Sequence, residues 1–166
     1  EIPNPSHFAD LSGLGGGFLS ALSTQVIGNS DFYNGAFPAE YNNVLSGVFD
    51  MHLRNGNNQK YEHAFQVGLM GIDLSSEGPI SKKRGSSYLV NYRSTTSLAT
   101  GNDLNLKYQD LAFKLNFPTS KAGTFSIWGL GLIDRNKAPI EERSKWETLG
   151  DRQSGENRLE KMAGGL

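Results

Sequence analysis

Apolar and polar residues alternate along most of the chain between residues 60 and 133, with the period of two that a β-strand requires. The clearest run is Tyr108–Phe117, where Leu and Phe occupy the odd positions from 111 onward and mostly polar residues occupy the even ones. Similar runs cover Lys60–Met70, Ile72–Ile80, Ser87–Ser97 and Thr124–Ile133. The pattern therefore predicts a mainly β fold, in which these five strands follow one another as an antiparallel meander.

The regions on either side of this meander have a different composition. Residues 1–56 are rich in Gly at first, then contain a turn at Phe37-Pro38 and a strand within Val48–Arg54. Phe18–Ile27 has apolar residues at helical spacing and is predicted to be a short helix or turn. Residues 137–166 are rich in charges and poor in β-branched residues, so we expect a solvent-facing loop. Three units are thus predicted, over residues 1–56, 57–136 and 137–166.

The same alternation fits two different β architectures. In a soluble sandwich the apolar faces form a core, whereas in an outer-membrane barrel they face lipid and the polar faces line a lumen. The strand lengths, and the alternation of short with longer connections, suit a barrel. So do five aromatic residues near the strand ends: Tyr88, Tyr92, Phe117, Phe125 and Trp128. Periodicity alone leaves both architectures open.

Composition excludes several classes of protein and site. The 16 basic and 17 acidic residues give a net charge of −1, so nothing in the charge favours nucleic-acid binding. The chain has no cysteine, which excludes disulfides and thiolate metal sites. It has no apolar run long enough for a transmembrane helix, a test that a transmembrane β-barrel would escape. Because the sequence begins Glu-Ile-Pro without Met, we expect it to be part of a longer protein.

No catalytic, cofactor or metal site emerges from the motifs. His7, His52 and His63 do not match a metal-ligand spacing, and no nucleophile motif is present. The glycine run before Phe18 lacks the third glycine of a dinucleotide-binding loop. The cluster Lys82-Lys83-Arg84 suggests a turn, or a contact for lipid headgroups, rather than a nucleic-acid site. We therefore expect a protein that is not an enzyme.

One stretch resembles a known family. Gln25–Asn55 resembles the end of the plug domain of TonB-dependent outer-membrane receptors, in the form common in Bacteroidetes. The residues that carry the resemblance, and that form the expected plug-to-barrel motif, are Gly35, Phe37, Pro38, Glu40, Tyr41 and Gly47. Gly78-Pro79-Ile80 and Ser87–Arg93 resemble the first barrel strands of that branch, and Leu111–Gly123 resembles a periplasmic turn with its flanking strands.

The resemblance implies a function and a location. The chain would be the C-terminal part of a plug, the first five strands of a barrel and an extracellular loop, in a receptor of the bacterial outer membrane. Such receptors take up a siderophore, vitamin or glycan with energy from the TonB complex, which would act through a segment that precedes this chain. The implied partners are outer-membrane lipid, the rest of the barrel and a surface lipoprotein.

In this interpretation the polar strand faces line the lumen of the barrel. The expected lumen-facing residues are Glu62, Gln66, Asp73, Glu77, Asn91, Arg93, Lys114 and Asn116. The alternative is a soluble β-sandwich binding or adhesion module of a surface protein, which would bury the apolar residues of Tyr108–Phe117 in its core.

Overall fold

The computed structural model of the chain describes residues 6–7, 19–35, 37–41, 47–68, 71–95, 105–137 and 156–165. These residues form ten strands and no helix. The strands are β1 (Ser6–His7), β2 (Leu19–Ser20), β3 (Asp31–Tyr33), β4 (Val48–Asp50), β5 (Glu62–Gly68), β6 (Gly71–Ser81), β7 (Ser86–Ser94), β8 (Asn105–Pro118), β9 (Thr124–Lys137) and β10 (Glu156–Gly165). The predicted mainly β, antiparallel fold is confirmed.

Strands β5 to β10 form one six-stranded sheet in which every strand pairs with its neighbour in sequence. All five pairings are antiparallel, so the sheet is a meander. The turns 82–85 and 119–123 lie at the same end of the sheet, and each ends in a glycine with positive φ, Gly85 and Gly123. The sheet is open: β5 and β10 are its two edges.

One prediction is wrong, and another, which left a helix or a turn open, is decided in favour of the turn. Glu156–Gly165, expected to be loop, forms β10 and pairs with β9 over its full length. Its sequence shows no clear alternation, and the strand forms because the edge of β9 offers a row of unpaired backbone groups. The part of Phe18–Ile27 that the structure describes contains β2 followed by turns, not a helix. The backbone N–H groups of Leu22 and Gln25 donate to the hydroxyl oxygens of Ser20 and Ser23, and these local hydrogen bonds favour turns over a helix there.

The sheet has two contrasting faces. The inner face is the one covered by the described residues of 6–57, here called the N-terminal segment. No strand among the described residues packs on the outer face. Nine of its large apolar side chains are more than a third exposed: Phe65, Val67, Leu74, Ile80, Leu111, Phe125, Ile127, Ile133 and Met162.

The N-terminal segment lies across the inner face. Two short antiparallel pairs, β1 with β2 and β3 with β4, and a bridge between Ile27 and Leu53 hold the segment together. A small apolar cluster joins the segment to the sheet, and its members are Ala21, Val26, Leu89, Ala112, Leu130 and Leu132. The segment comes closest to the sheet at Gly56, where an added Cβ would overlap the carbonyl oxygen of Tyr88.

We expect Gly56→Ala to destabilise the chain, because the neighbour that must move is backbone of β7 rather than a flexible side chain. Overpacking of this kind costs about 1–3 kcal/mol. Gly35→Ala is the matched control, since a Cβ at Gly35 would meet nothing within 4 Å. Denaturant unfolding followed by Trp fluorescence measures both. Equal stability of the two variants would contradict the close approach.

Candidate functional site

The polar residues predicted to share one strand face do share it. The inner face carries all eight: Glu62, Gln66, Asp73, Glu77, Asn91, Arg93, Lys114 and Asn116. The register brings Asp73 beside both Gln66 and Arg93, and Glu77 beside Glu62. That this face lines a lumen stays a prediction. The structure adds that most of these side chains are bonded to the N-terminal segment.

Arg54 and Glu77 form the strongest contact of this interface. The guanidinium of Arg54 donates to both carboxylate oxygens of Glu77, at 2.8 and 2.6 Å. The backbone N–H of Asn57 donates to the same carboxylate at 2.7 Å, and Arg54 Nε donates to the carbonyl of Gln25 at 2.6 Å. The hydrogen bonds to Glu77 raise the pKa of Arg54, although burial acts in the opposite direction. A bidentate pair of this geometry fixes both the position and the orientation of the segment.

A second cluster surrounds Asp110 on β8. Arg93 donates to both oxygens of Asp110 through Nε and Nη2, with contacts of 2.7–3.1 Å, and the same Nη2 group also donates to the carbonyl of Ser20 at 2.6 Å. His7 Nε2 lies 2.9 Å from Asp110, and His7 Nδ1 lies 3.4 Å from Asp134. Two carboxylates thus face one guanidinium and one imidazole, all buried. Buried charges need partners of this kind.

Three further bonds tie the segment to the sheet. The hydroxyl of Ser23 donates to Asp73 at 2.6 Å, and Lys114 Nζ donates to the carbonyl of Leu53 at 2.7 Å. Asn57 donates to Glu62 at 2.9 Å. The interface is therefore polar along most of its length.

Four residues of this interface were missed by the sequence analysis: His7, Arg54, Asp110 and Asp134. Asp110 and Asp134 sit at inner-face positions of β8 and β9, so the alternation itself contained the signal. His7 lies in a segment without a clear period and Arg54 at the end of the strand predicted within Val48–Arg54, and neither pattern indicates a partner in the sheet.

The residues of the expected plug-to-barrel motif lie around the β3–β4 pair, away from these charges. The N–H of Tyr41 bonds to the carbonyl of Pro38 at 3.0 Å, and the Tyr41 hydroxyl donates to Asp50 at 2.9 Å. That hydrogen bond raises the pKa of Tyr41 to about 12. A Cβ at Gly47 would lie 3.1 Å from the ring of Phe32, whereas Gly35 and Glu40 are exposed and Phe37 and Pro38 make a surface turn. The motif therefore shapes a hairpin rather than a charged contact.

The outer face carries most of the predicted aromatic residues. Tyr88, Tyr92, Phe117 and Phe125 point to this face, but Trp128 lies on the inner face opposite Lys114, so its expected outer position is wrong. Trp128 lies three positions after Phe125 on β9, and residues an odd number of positions apart on a strand point to opposite faces. His63, also on the outer face, bonds to Ser76, which bonds to the Tyr88 hydroxyl.

The described residues include no cluster of three or more His, Cys, Asp or Glu able to hold a metal ion. Nor do they include a helix that is long and apolar enough to cross a membrane. Comparison of the chain with models of protein families, with curated proteins and with solved structures gave no match.

We expect Arg54 and Glu77 to be strongly coupled in a double-mutant cycle. Arg54→Met and Glu77→Gln should each destabilise the chain by about 2 kcal/mol, because each leaves a charged or polar partner without its hydrogen bonds. The double variant should cost less than the sum. Lys107→Met, at an exposed position of β8, is the control and should be close to neutral. Additive effects in denaturant unfolding would show that the pair contributes no specific interaction.

Proposed function

We propose that this chain is part of a TonB-dependent outer-membrane receptor. In this proposal β5 to β10 are strands of the barrel wall, and the N-terminal segment is the end of the plug that fills the lumen. The function of the whole protein would be energy-coupled uptake of a scarce nutrient, such as a siderophore, a vitamin or a glycan. The resemblance of Gln25–Asn55 to the end of a plug domain and the arrangement of side chains on the sheet support the proposal from independent directions.

The distribution of side chains between the two faces supports the barrel wall most directly. Among the described residues, ten polar or charged residues are buried, compared with seven hydrophobic ones. The large apolar side chains concentrate on the outer face, where Phe65 is 66% exposed and Leu111 is 45% exposed. A water-soluble antiparallel sheet has the reverse arrangement, with its apolar face covered. A barrel wall has apolar residues toward lipid and polar residues inward.

The polar interface suits a plug inside such a wall. A wide barrel cannot be filled by its own side chains, so a separate segment has to occupy the lumen. The segment described here meets the wall through charged pairs and backbone carbonyls, with only a small apolar cluster. The alternative, a soluble sandwich, requires a second sheet against the outer face, and none of the described residues provides one.

The open edges of the sheet agree with a partial barrel. β5 and β10 each have one side without a partner strand in the described residues. Unpaired backbone groups are not tolerated in the hydrocarbon core of a bilayer. We therefore infer that further strands of the same protein pair with both edges and close the wall.

The native polypeptide that carries this sequence should sediment with the outer membrane and require detergent for extraction. Its mass should be several times the 18.1 kDa of the present chain, because closure around a plug requires many more strands. Immunoblotting of fractionated cells with an antibody to this chain measures both properties. A soluble species of 18.1 kDa would overturn the proposal and favour the sandwich.

Spin labels at adjacent residues test the orientation of the wall. Phe65 and Gln66 are neighbours on β5, both exposed, and point to opposite faces. In the native polypeptide reconstituted in vesicles, a label at Phe65→Cys should be relaxed by oxygen, which concentrates in lipid. A label at Gln66→Cys should instead be relaxed by a water-soluble nickel complex. The chain has no cysteine of its own, so each variant adds a single thiol to it.

Leu111→Cys repeats the test in the middle of the sheet, where no edge strand is involved. The label at Leu111→Cys should be relaxed by oxygen, as the label at Phe65→Cys should be. If the labels at Phe65 and Leu111 respond to the nickel complex as strongly as the label at Gln66 does, the outer face is in contact with water and the wall is excluded.

A further inference from the structure

Five basic side chains gather at one end of the six-stranded sheet. They are Lys60, Lys82, Lys83, Arg84 and Lys121, here called the basic rim, and all five are exposed. They come from three connecting segments: 55–60, the turn 82–85 and the turn 119–123. These segments contain no acidic residue.

Contacts around Gly85 show that the three segments converge. A Cβ added at Gly85 would lie 3.5 Å from the ring of Pro118, at the end of β8, and 3.7 Å from the side chain of Asn58. The turn that follows β6, the turn that follows β8 and the segment that precedes β5 therefore meet at one place. Their cations, although far apart in sequence, therefore lie at the same end of the sheet.

The cations of the basic rim have no carboxylate partner within the described residues. Glu62 and Glu77, on the inner face, are bonded to Asn57 and Arg54. Within the part of the chain that the structure describes, no carboxylate therefore pairs with the positive charge of the rim.

Aromatic side chains lie between the rim and the apolar outer face. The ring of Tyr61 covers Gly78 on the outer face, and its hydroxyl donates to the carbonyl of Pro79 at 3.2 Å. Phe117 and Phe125 face each other across β8 and β9 next to the turn 119–123. Toward this end of the outer face, aromatic rings are thus followed by the cations of the rim. Aromatic rings favour the boundary between hydrocarbon and headgroups, and cations favour an anionic surface beyond it.

We propose that the basic rim binds the headgroups of anionic phospholipids at one surface of the membrane. This inference rests on the proposed function, because it requires the outer face to lie in lipid. It adds an orientation and a lipid preference: the end with the short turns contacts a leaflet that contains anionic phospholipid. The ligand is recognised by charge, so phosphatidylglycerol is a suitable probe.

Quenching by brominated lipids tests the preference. The native polypeptide carries bimane at Ser120→Cys, in the turn beside Lys121, and is reconstituted in phosphatidylcholine vesicles with a fixed fraction of phosphatidylglycerol. Either the phosphatidylglycerol or an equal amount of phosphatidylcholine is brominated. The brominated phosphatidylglycerol should quench more, with local enrichment of about fivefold for each cation in contact with the surface. The excess should vanish in 1 M salt, where the screening length is about 3 Å.

Variants distinguish binding of anionic lipid by the basic rim from a general effect of the positive charge of the protein. Lys82→Gln/Lys83→Gln/Arg84→Gln should reduce the excess quenching strongly, because only Lys60 and Lys121 of the rim remain, and Arg84→Gln alone should reduce it less. Lys107→Gln, at an exposed cation toward the other end of β8, should leave the excess unchanged. The salt dependence needs no variant, so the test does not depend on the folding of the triple variant.

The possible results distinguish the two proposals. Equal quenching by both lipids, or an excess that is undiminished in the triple variant, would overturn the basic rim while leaving the membrane wall intact. Absence of quenching at Ser120 together with a lipid signal at Leu111 would also overturn the rim, because the turn would then lie away from the bilayer. If the label at Leu111 reports water and neither lipid quenches, both proposals fail.

Discussion

The inner face of the sheet carries charges that water cannot reach, and this constraint determines how the rest of the described chain is arranged. Asp110 and Arg93 are almost fully buried, and Glu77 is only 8% exposed. Removing such groups from water costs several kcal/mol for each ion unless partners replace the lost hydration. Arg93 and His7 supply partners for Asp110, and Arg54 supplies one for Glu77. The N-terminal segment is therefore required by the sheet, because without it these charges would have no complete set of partners.

The contacts between segment and sheet differ from those of an ordinary core. The apolar cluster around Leu89 is small, and most of the specificity comes from directional bonds such as Arg54 to Glu77 and Lys114 to the carbonyl of Leu53. Directional bonds fix one orientation, whereas apolar contacts of similar area tolerate several. In the proposed receptor, a polar interface of this kind would hold the plug at a defined position while keeping the lumen hydrophilic.

The two ends of the sheet also differ in a way that matters for the proposal. The end with the turns 82–85 and 119–123 has tight connections, exposed cations and an aromatic border. Toward the other end, the acidic residues Asp73, Asp110 and Asp134 point to the inner face and take part in the interface. A sheet whose ends and faces both differ in polarity has one preferred orientation in a membrane, and the basic rim is the feature that would select it.

The alternation in the sequence predicted five strands between Lys60 and Ile133 and the face of most of their side chains, because alternate residues of a strand point to opposite faces. It did not predict that β8 begins at Asn105 or that β9 continues to Lys137. All eight polar residues assigned to one face from this period lie on it. Only the tertiary structure decided which charges pair, since Arg54 and Glu77 are 23 residues apart and His7 and Asp110 are 103 apart. It also decided that Glu156–Gly165 is a strand, because the partner is the edge of β9 and not a preference of the segment itself. The local period of two determines the face of the sheet on which a side chain lies. Pairs of charged residues that are distant in sequence depend instead on how the chain crosses the sheet.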